Sequence, residues 1–378
     1  MAWFKPKSFL GVDIGAGGVK IVELRSEKKR PVLFTYGYTS ESQDIHSLFN
    51  GQRPDQVPLS PTGPRPEIRG AKDPLIEQAE KYAAVIKQVC KQAKTTAASA
   101  MVSLPISAVF HAIVTLPAVK PAEFDRLLKA EMKKLLPYSL EETALDYELI
   151  PQPAGSKIQQ AVVNAVPKKL VAFYTTIFRL SGLKLVALEP ESTALMRSLV
   201  GRDTSLSMVV DIGAERTNFF IIDDTHTITH QSIEVGGNKI NQLLQAIWKT
   251  DDSLVEQMKQ DLFFRLSTSP DESLLPKEQF LGMFDTILDP IVKEIEYSFA
   301  LYLEQSSNQG KRPEKIIVTG GAGLFPYITS YLADKFTMKC YVGDPWGRVV
   351  YQDGLKPLLN QIGPRMAVAI GLALRGAL

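Results

Sequence analysis

Two cysteines and four histidines are all that 378 residues offer in the way of thiolate or imidazole metal ligands. Cys90 and Cys340 stand in unrelated surroundings, which excludes a disulfide framework and predicts free thiols in a reducing cytoplasm. His46, His111, His226 and His230 show no ligand spacing to cysteines or acids. His226 and His230 are four apart, but in a strand-like stretch, where that interval is not one helical face. No apolar run approaches the ~18 residues of a membrane span. The first ten residues lack the apolar region and cleavage site of a signal peptide. An excess of one charge is missing as well: a net charge of +2 gives no reason to expect a nucleic-acid surface. The remaining composition is ordinary for a globular chain, and the length suffices for two or more domains with cores of their own.

Glycine, by contrast, is placed informatively. Residues 10–24 (LGVDIGAGGVKIVEL) form an apolar strand, a glycine turn and a second strand. A dinucleotide fingerprint has to open a helix; here the chain leaves the turn extended, so the motif is a hairpin. Glycines let backbone N–H groups converge on an anion without interference from a Cβ. Asp13 stands at the end of the first strand, and a carboxylate beside phosphate calls for an intervening cation. A phosphate turn with Mg²⁺ held largely through water meets that need. An ordinary hairpin would explain one such turn. The pattern returns, however, at residues 208–223 (MVVDIGAERTNFFIID). Two Asp-Ile-Gly hairpins a domain apart predict an internal duplication in which both turns grip one polyphosphate.

Between and beyond these hairpins, strands are expected at 32–38, 100–104, 109–116, 144–150, 158–166, 184–188, 227–235 and 315–319. Helices are expected at 74–93, from Pro121 to Pro137, from Pro167 through Leu180, from Pro190, from Gly236-Gly237, at 253–266, 277–304 and 325–336, and at 365–378, the last nearly all small or apolar. Residues 40–73 are rich in proline, glycine and serine and are expected to form a flexible loop. Strand–helix–strand–strand at 105–166 is expected to be a small module inserted into the first domain. The boundaries that follow are 1–104 with 167–200 and 350–378 for the first core, 201–235 with 312–349 for the second, and 236–311 for a helical subdomain of the second.

Five segments, in order, resemble the actin-like ATPase superfamily. Asp13, Gly15, Gly17, Gly18 and Lys20 resemble its first phosphate loop; Glu189-Pro190, with Ser192 to Leu195, its first connecting helix; Asp211, Gly213, Thr217 and Asn218 its second phosphate loop; Gly320, Gly321 and Gly323 its adenosine loop; residues 367–375 its second connecting helix. Gly236 and Gly237 join this nucleotide set. Glu256 and Lys259, one helical turn apart, match the acid and lysine that the superfamily aims at the ribose and base. The resemblance implies an α/β, actin-like (ribonuclease H-like) duplicated two-domain fold, with ATP and Mg²⁺ as cofactors and Asp13 and Asp211 holding the metal through water. It names Glu189 as the acid that positions the attacking water.

The inserted module resembles that of the cell-division protein FtsA and of the PilM family of type IV pilus assembly. Phrases similar to PilM are Gly-Val-Lys-Ile-Val-Glu-Leu at 18–24, Glu131 followed by Leu-Pro-Tyr at 136–138, and Asp146-Tyr147. Gly17 and Gly18 depart from it, standing where relatives carry hydroxyl residues, and the 40–73 loop is longer than the family's. The resemblance implies a cytoplasmic, ATP-binding scaffold that binds the N-terminal cytoplasmic peptide of PilN, an inner-membrane partner. It implies no nucleic-acid partner and no direct membrane insertion, and leaves self-association and the rate of hydrolysis open. A small-molecule kinase or phosphatase of the same fold is the alternative; it requires an acceptor base, for which Asp125 and Asp146 are the candidates. An FtsA-like anchor ranks third, because it calls for an amphipathic helix beyond the second connecting helix, where this sequence stops.

Overall fold

The alternating apolar stretches of the sequence assemble into two five-stranded sheets and one three-stranded sheet. The structure, a computed structural model, describes residues 7–39, 74–268, 276–304 and 310–377. The expected 40–73 loop lies outside the described residues. Two units divide the chain: Met1–Glu191 with Leu372–Leu378, and Ser192–Gly371. The chain passes from one unit to the other after Glu191 and back after Gly371.

The first unit begins with the meander β1 (Ser8–Gly15), β2 (Gly18–Glu27) and β3 (Arg30–Tyr38), followed by α1 (Pro74–Gln92) and β4 (Ser99–Leu104). The inserted module consists of β5 (Phe110–Pro117), α2 (Pro121–Leu135), β6 (Thr143–Ile150) and β7 (Ile158–Pro167). The unit closes with α3 (Lys168–Ser181) and β8 (Lys184–Pro190). The large sheet has the order β3-β2-β1-β4-β8, with β4 parallel to β1 and to β8. Tyr82, Ile86 and Val89 of α1 and Phe173, Tyr174 and Ile177 of α3 form one core with Leu10, Val12, Ile14 and Ile21. Each such side chain stabilises the unit by about 1.5–3 kcal/mol on burial. Fully buried Glu23 is satisfied by three donors: Ser8 Oγ and Thr96 Oγ1 at 2.5 Å and Thr96 N–H at 2.7 Å. The module is a separate antiparallel sheet, β5-β7-β6. It has its own core of Phe124, Leu128 and Met132 against Val114, Ala161 and Val163.

The second unit runs α4 (Glu191–Leu195, its first residue belonging to the first unit), β9 (Ser207–Ile212), β10 (Thr217–Asp223), β11 (His226–Ile233) and α5 (Gly237–Trp248). It continues with α6 (Asp252–Thr268), α7 (Lys277–Gly282), α8 (Asp285–Glu304), β12 (Lys315–Thr319), α9 (Ile328–Phe336), β13 (Lys339–Val342) and α10 (Lys356–Ala377, ending in the first unit). Its sheet order, β11-β10-β9-β12-β13, repeats that of the first unit strand for strand. The expected duplication is thus present in the topology.

Four helix expectations change. Pro190 ends β8 rather than opening a helix, and α4 gives way after five residues to a π turn, Met196–Val200. The 277–304 helix is broken after Gly282, where the chain turns so that Phe280 and Phe284 both enter the core. The 325–336 helix starts at Ile328, after Tyr327 at φ +62. The last helix begins nine residues early, at Lys356, and contains Pro364; a proline inside a helix reads from sequence as its start.

Candidate functional site

Each unit carries a polar row across the ends of otherwise apolar strands. In the first unit, β1 and β2 pair Asp13 with Lys20, and β4 and β8 pair Ser103 with Glu189. Asp13 joins the two pairs: its Oδ2 lies 3.2 Å from Lys20 Nζ, and its Oδ1 accepts from Ser103 Oγ at 2.8 Å. Lys20, Asp13, Ser103 and Glu189 are all buried. Partners in register share one face of a sheet, so the row lies along one face beside the Gly15–Gly18 turn. A Cβ at Gly15 would lie 3.4 Å from Lys20 Nζ, which places the ammonium at the turn itself. Glu189 Oε2 accepts from Arg375 Nη1 of α10 at 2.8 Å.

In the second unit the register is the same. Asp211 faces Asn218 on β10 and Thr319 on β12. Asn218 Nδ2 donates to Asp211 Oδ2 at 3.5 Å, and Asn218 Oδ1 accepts from Ser232 Oγ at 2.8 Å. Asn218 stands where the first unit has Lys20, and Thr319 where it has Ser103. The second turn is backed by Gly236-Gly237: Gly237 N–H donates to Gly213 O at 2.9 Å and Asn238 N–H to Ala214 O at 2.7 Å. A Cβ at Gly236 would meet Ala214 O at 2.7 Å, so these glycines allow close backbone packing against the turn. Thr217 Oγ1 fixes the same corner by donating to Val235 O at 2.7 Å.

The Gly320–Gly323 corner follows β12. Gly320 has φ +90, and a Cβ there would lie 2.4 Å from Ile212 O and 2.5 Å from Asp211 Oδ1. Its N–H donates to Pro364 O at 3.1 Å, which ties the loop to α10. Beside it, Lys259 pairs with Glu256 and donates to Asn241 Oδ1 at 2.8 Å, while Asn241 Nδ2 donates to Glu256 Oε2 at 3.2 Å. Arg365 lies 3.8 Å from Glu256 Oε1, with Nε 3.7 Å from a Cβ built at Gly321. Burial pushes the Lys259 ammonium below its ordinary value and Arg365 adds to the shift, against the pull of Glu256.

The structure thus brings Asp13, Gly15, Gly18 and Lys20 together with Glu189 in one unit. In the other it brings Asp211, Gly213, Thr217, Asn218, Gly236 and Gly237 together, sets Gly320 against Asp211 and Gly323 against Thr319, and links Glu256, paired with Lys259, to Gly321 through Arg365. Gly17 lies in the two-residue turn between β1 and β2. Sequence reasoning missed Ser103, Thr319, Asn241, Arg365 and Arg375. A lone hydroxyl near the end of a core strand is a legible signal for the first two; the others are brought in by elements distant in sequence. The two acceptor-base candidates of the alternative reading, Asp125 and Asp146, both lie in the inserted module. Asp125 pairs with Lys129 at 2.7 Å on the outward side of α2, and exposed Asp146 accepts from Tyr147 N–H at 3.0 Å.

Among the described residues no three His, Cys, Asp or Glu side chains group to hold a metal. None of the helices there is long and apolar enough to cross a membrane. Cys90 and Cys340 are free thiols.

Comparison with solved structures gives a TM-score of 0.74 to a PilM–PilN type IV pilus biogenesis complex, at 21% identity over 99% of this chain and 100% of that one. The ethanolamine utilization protein EutJ of Carboxydothermus hydrogenoformans matches at TM-score 0.49 and 14% identity, over 98% of this chain and 90% of that one. MreB5 of Spiroplasma citri bound to AMPPNP matches at 0.47 and 15%, over 98% and 96%. The fold is the actin-like one, duplicated, with the inserted module. A family model of type IV pilus assembly protein PilM matches residues 66–377, most of the sequence, and the chain belongs to that family.

Proposed function

We propose that this chain is an ATP-binding scaffold of type IV pilus assembly that binds the cytoplasmic N-terminal peptide of a PilN-like inner-membrane protein. The observation that carries the nucleotide reading is the repeated row: an aspartate at the same register of two sheets of the same order, each beside a glycine-containing turn. Lys20 compensates Asp13 and presents its remaining N–H protons at the first turn, where phosphate oxygens would otherwise meet a bare carboxylate. At the second turn Asp211 faces the neutral amide of Asn218 on β10 where the first unit has Lys20, and positive charge between carboxylate and phosphate favours binding at either turn. Mg²⁺ would supply that charge between carboxylate and phosphate. Each aspartate, taken within its own unit, suits a small cation that keeps most of its waters and takes its other ligands from the nucleotide. Glu256 and Lys259, held in place by Asn241, would face the ribose and base, with Gly320 and Gly321 leaving room for them.

Glu189 is the candidate for positioning the attacking water. Its pairing with Arg375 orients the carboxylate but competes with a role as base, so hydrolysis is expected to be slow. The family match and the fold shared with a PilM–PilN complex support the pilus and partner readings. Recruitment to the inner membrane would then come from the partner, with the chain itself on the cytoplasmic side.

Two measurements test this. Calorimetric titration should give ATP–Mg²⁺ binding that Asp13→Asn and Asp211→Asn each weaken roughly tenfold or more, while Glu189→Gln slows turnover and leaves affinity in place. Unchanged affinity in both aspartate variants would remove the assignment. A pull-down with the N-terminal PilN peptide, with and without ATP, tests the partner; no capture in either state would refute it.

A further inference from the structure

The second unit carries a basic feature that the nucleotide reading does not use. The π turn Met196–Val200 ends at Gly201, whose φ of +68 favours glycine. Gly201 N–H closes the turn on Met196 O at 2.8 Å, and Arg197 Nη1 fastens it by donating to Gly371 O at 2.6 Å. Such turns are rare and are found frequently at functional sites. Against it stands the loop after β13, itself rigid: Gly343 N–H donates to Val318 O at 2.9 Å, and buried Trp346 donates from Nε1 to Leu359 O at 3.0 Å.

Arg348 reaches from this loop onto the turn. Its Nη1 donates to Arg197 O at 3.4 Å, and its guanidinium fills the space a side chain at residue 201 would need: a Cβ on Gly201 would lie 1.2 Å from Nη2. Arg202 follows directly in the chain. Burial, and secondarily the Arg202 charge, push the Arg348 guanidinium below its ordinary value. Among the described residues no carboxylate pairs with either arginine. Asp203 is taken by Lys315, and Asp344 Oδ1 accepts from Trp346 N–H at 3.0 Å. An exposed arginine such as Arg202 is ordinarily content in water. Arg348 is different: half-buried, held on glycine-only backbone, next to a like charge with no acid to offset it. An arrangement of that kind costs free energy until an anion arrives.

We propose that Arg202 and Arg348, mounted on the π turn and Gly201, bind a phosphate-type oxyanion, either free or on a lipid headgroup. Two forked guanidinium groups match the several oxygens of a tetrahedral oxyanion better than they match a single carboxylate.

Equilibrium dialysis of radiolabelled inorganic phosphate against the full chain, at constant ionic strength and with and without saturating ATP–Mg²⁺, tests the site. About one phosphate per chain should persist with nucleotide present, and Arg202→Gln and Arg348→Gln should each weaken it roughly tenfold or more. Arg202 is exposed, so its replacement leaves the fold intact and keeps the test valid even if Arg348→Gln disturbs the loop. Phosphatidylglycerol vesicles that sediment the wild type but not Arg202→Gln would assign the anion to a headgroup; phosphate binding without sedimentation would assign it to a free phosphate. Binding of either probe that both variants leave unchanged, or no binding of either, would overturn the proposal. Loss of ATP binding with the arginine-dependent phosphate retained would count against the nucleotide reading alone.

Discussion

Asp203 and Lys315 form an ion pair at the start of the second sheet, joining the loop before β9 to the first residue of β12. The Lys315 ammonium, with hydrogen bonds from Ser205, holds the Asp203 carboxyl well below the usual carboxylate range. A depressed carboxylate contributes stability that is present above its unfolded value, near 3.9, and is lost as pH falls through the lower folded value. Thermal melts of wild type and Asp203→Asn should therefore differ at about pH 6 and converge as the pH drops below about 3. Because the carboxylate is nearly half exposed, the gap should be small and should shrink further in high salt. A gap that stays constant down to acid would show that the charge contributes nothing.

Among the connecting elements, the Gly320 corner leaves no room for a side chain. A side chain there would collide with the carbonyl of Ile212 and the carboxylate of Asp211, in a backbone region that L-residues rarely adopt. Gly320→Ala should destabilise the chain by about 2–4 kcal/mol, combining backbone strain with a steric clash. It should also reduce nucleotide affinity by displacing Asp211, even under conditions where the variant remains folded. Denaturant unfolding gives the first quantity and calorimetry below the transition the second. By contrast, Gly282 has open space around its Cβ position, and its replacement by alanine serves as the control, expected to change neither quantity appreciably.

The chain as a whole consists of two units with separate cores, and each holds one of the repeated aspartate rows. A ligand that binds the native chain raises its melting temperature by mass action, by about 2.7 kcal/mol of stability at one hundred times its dissociation constant. ATP–Mg²⁺ should therefore shift the melt of the wild type, and a chelator should reduce that shift. Asp13→Asn and Asp211→Asn should each show a smaller chelator-dependent change than the wild type, because each lacks one of the carboxylates proposed to hold the metal. Equal chelator sensitivity in all three would argue that neither aspartate holds the metal.

Both hairpins were legible from residue order, because an apolar strand ending in Asp-Ile-Gly and followed by a second strand is a local pattern with a local cause. The same holds for the inserted module and for Glu256 with Lys259, three apart on one helix. Contacts made across the sheets and by α10 were not. Ser103 meets Asp13 only because β4 pairs with β1, ninety residues away. Arg365, Arg375 and the Pro364 carbonyl reach Glu256, Glu189 and Gly320 only once α10 is placed. The π turn after α4 also left no periodic signature, since an apolar stripe spaced for 3.6 residues per turn looks continuous through it. Local order sets where strands and turns form; which polar groups share a row, and which arginines stand without an acid, depends on pairing between segments that sequence distance hides.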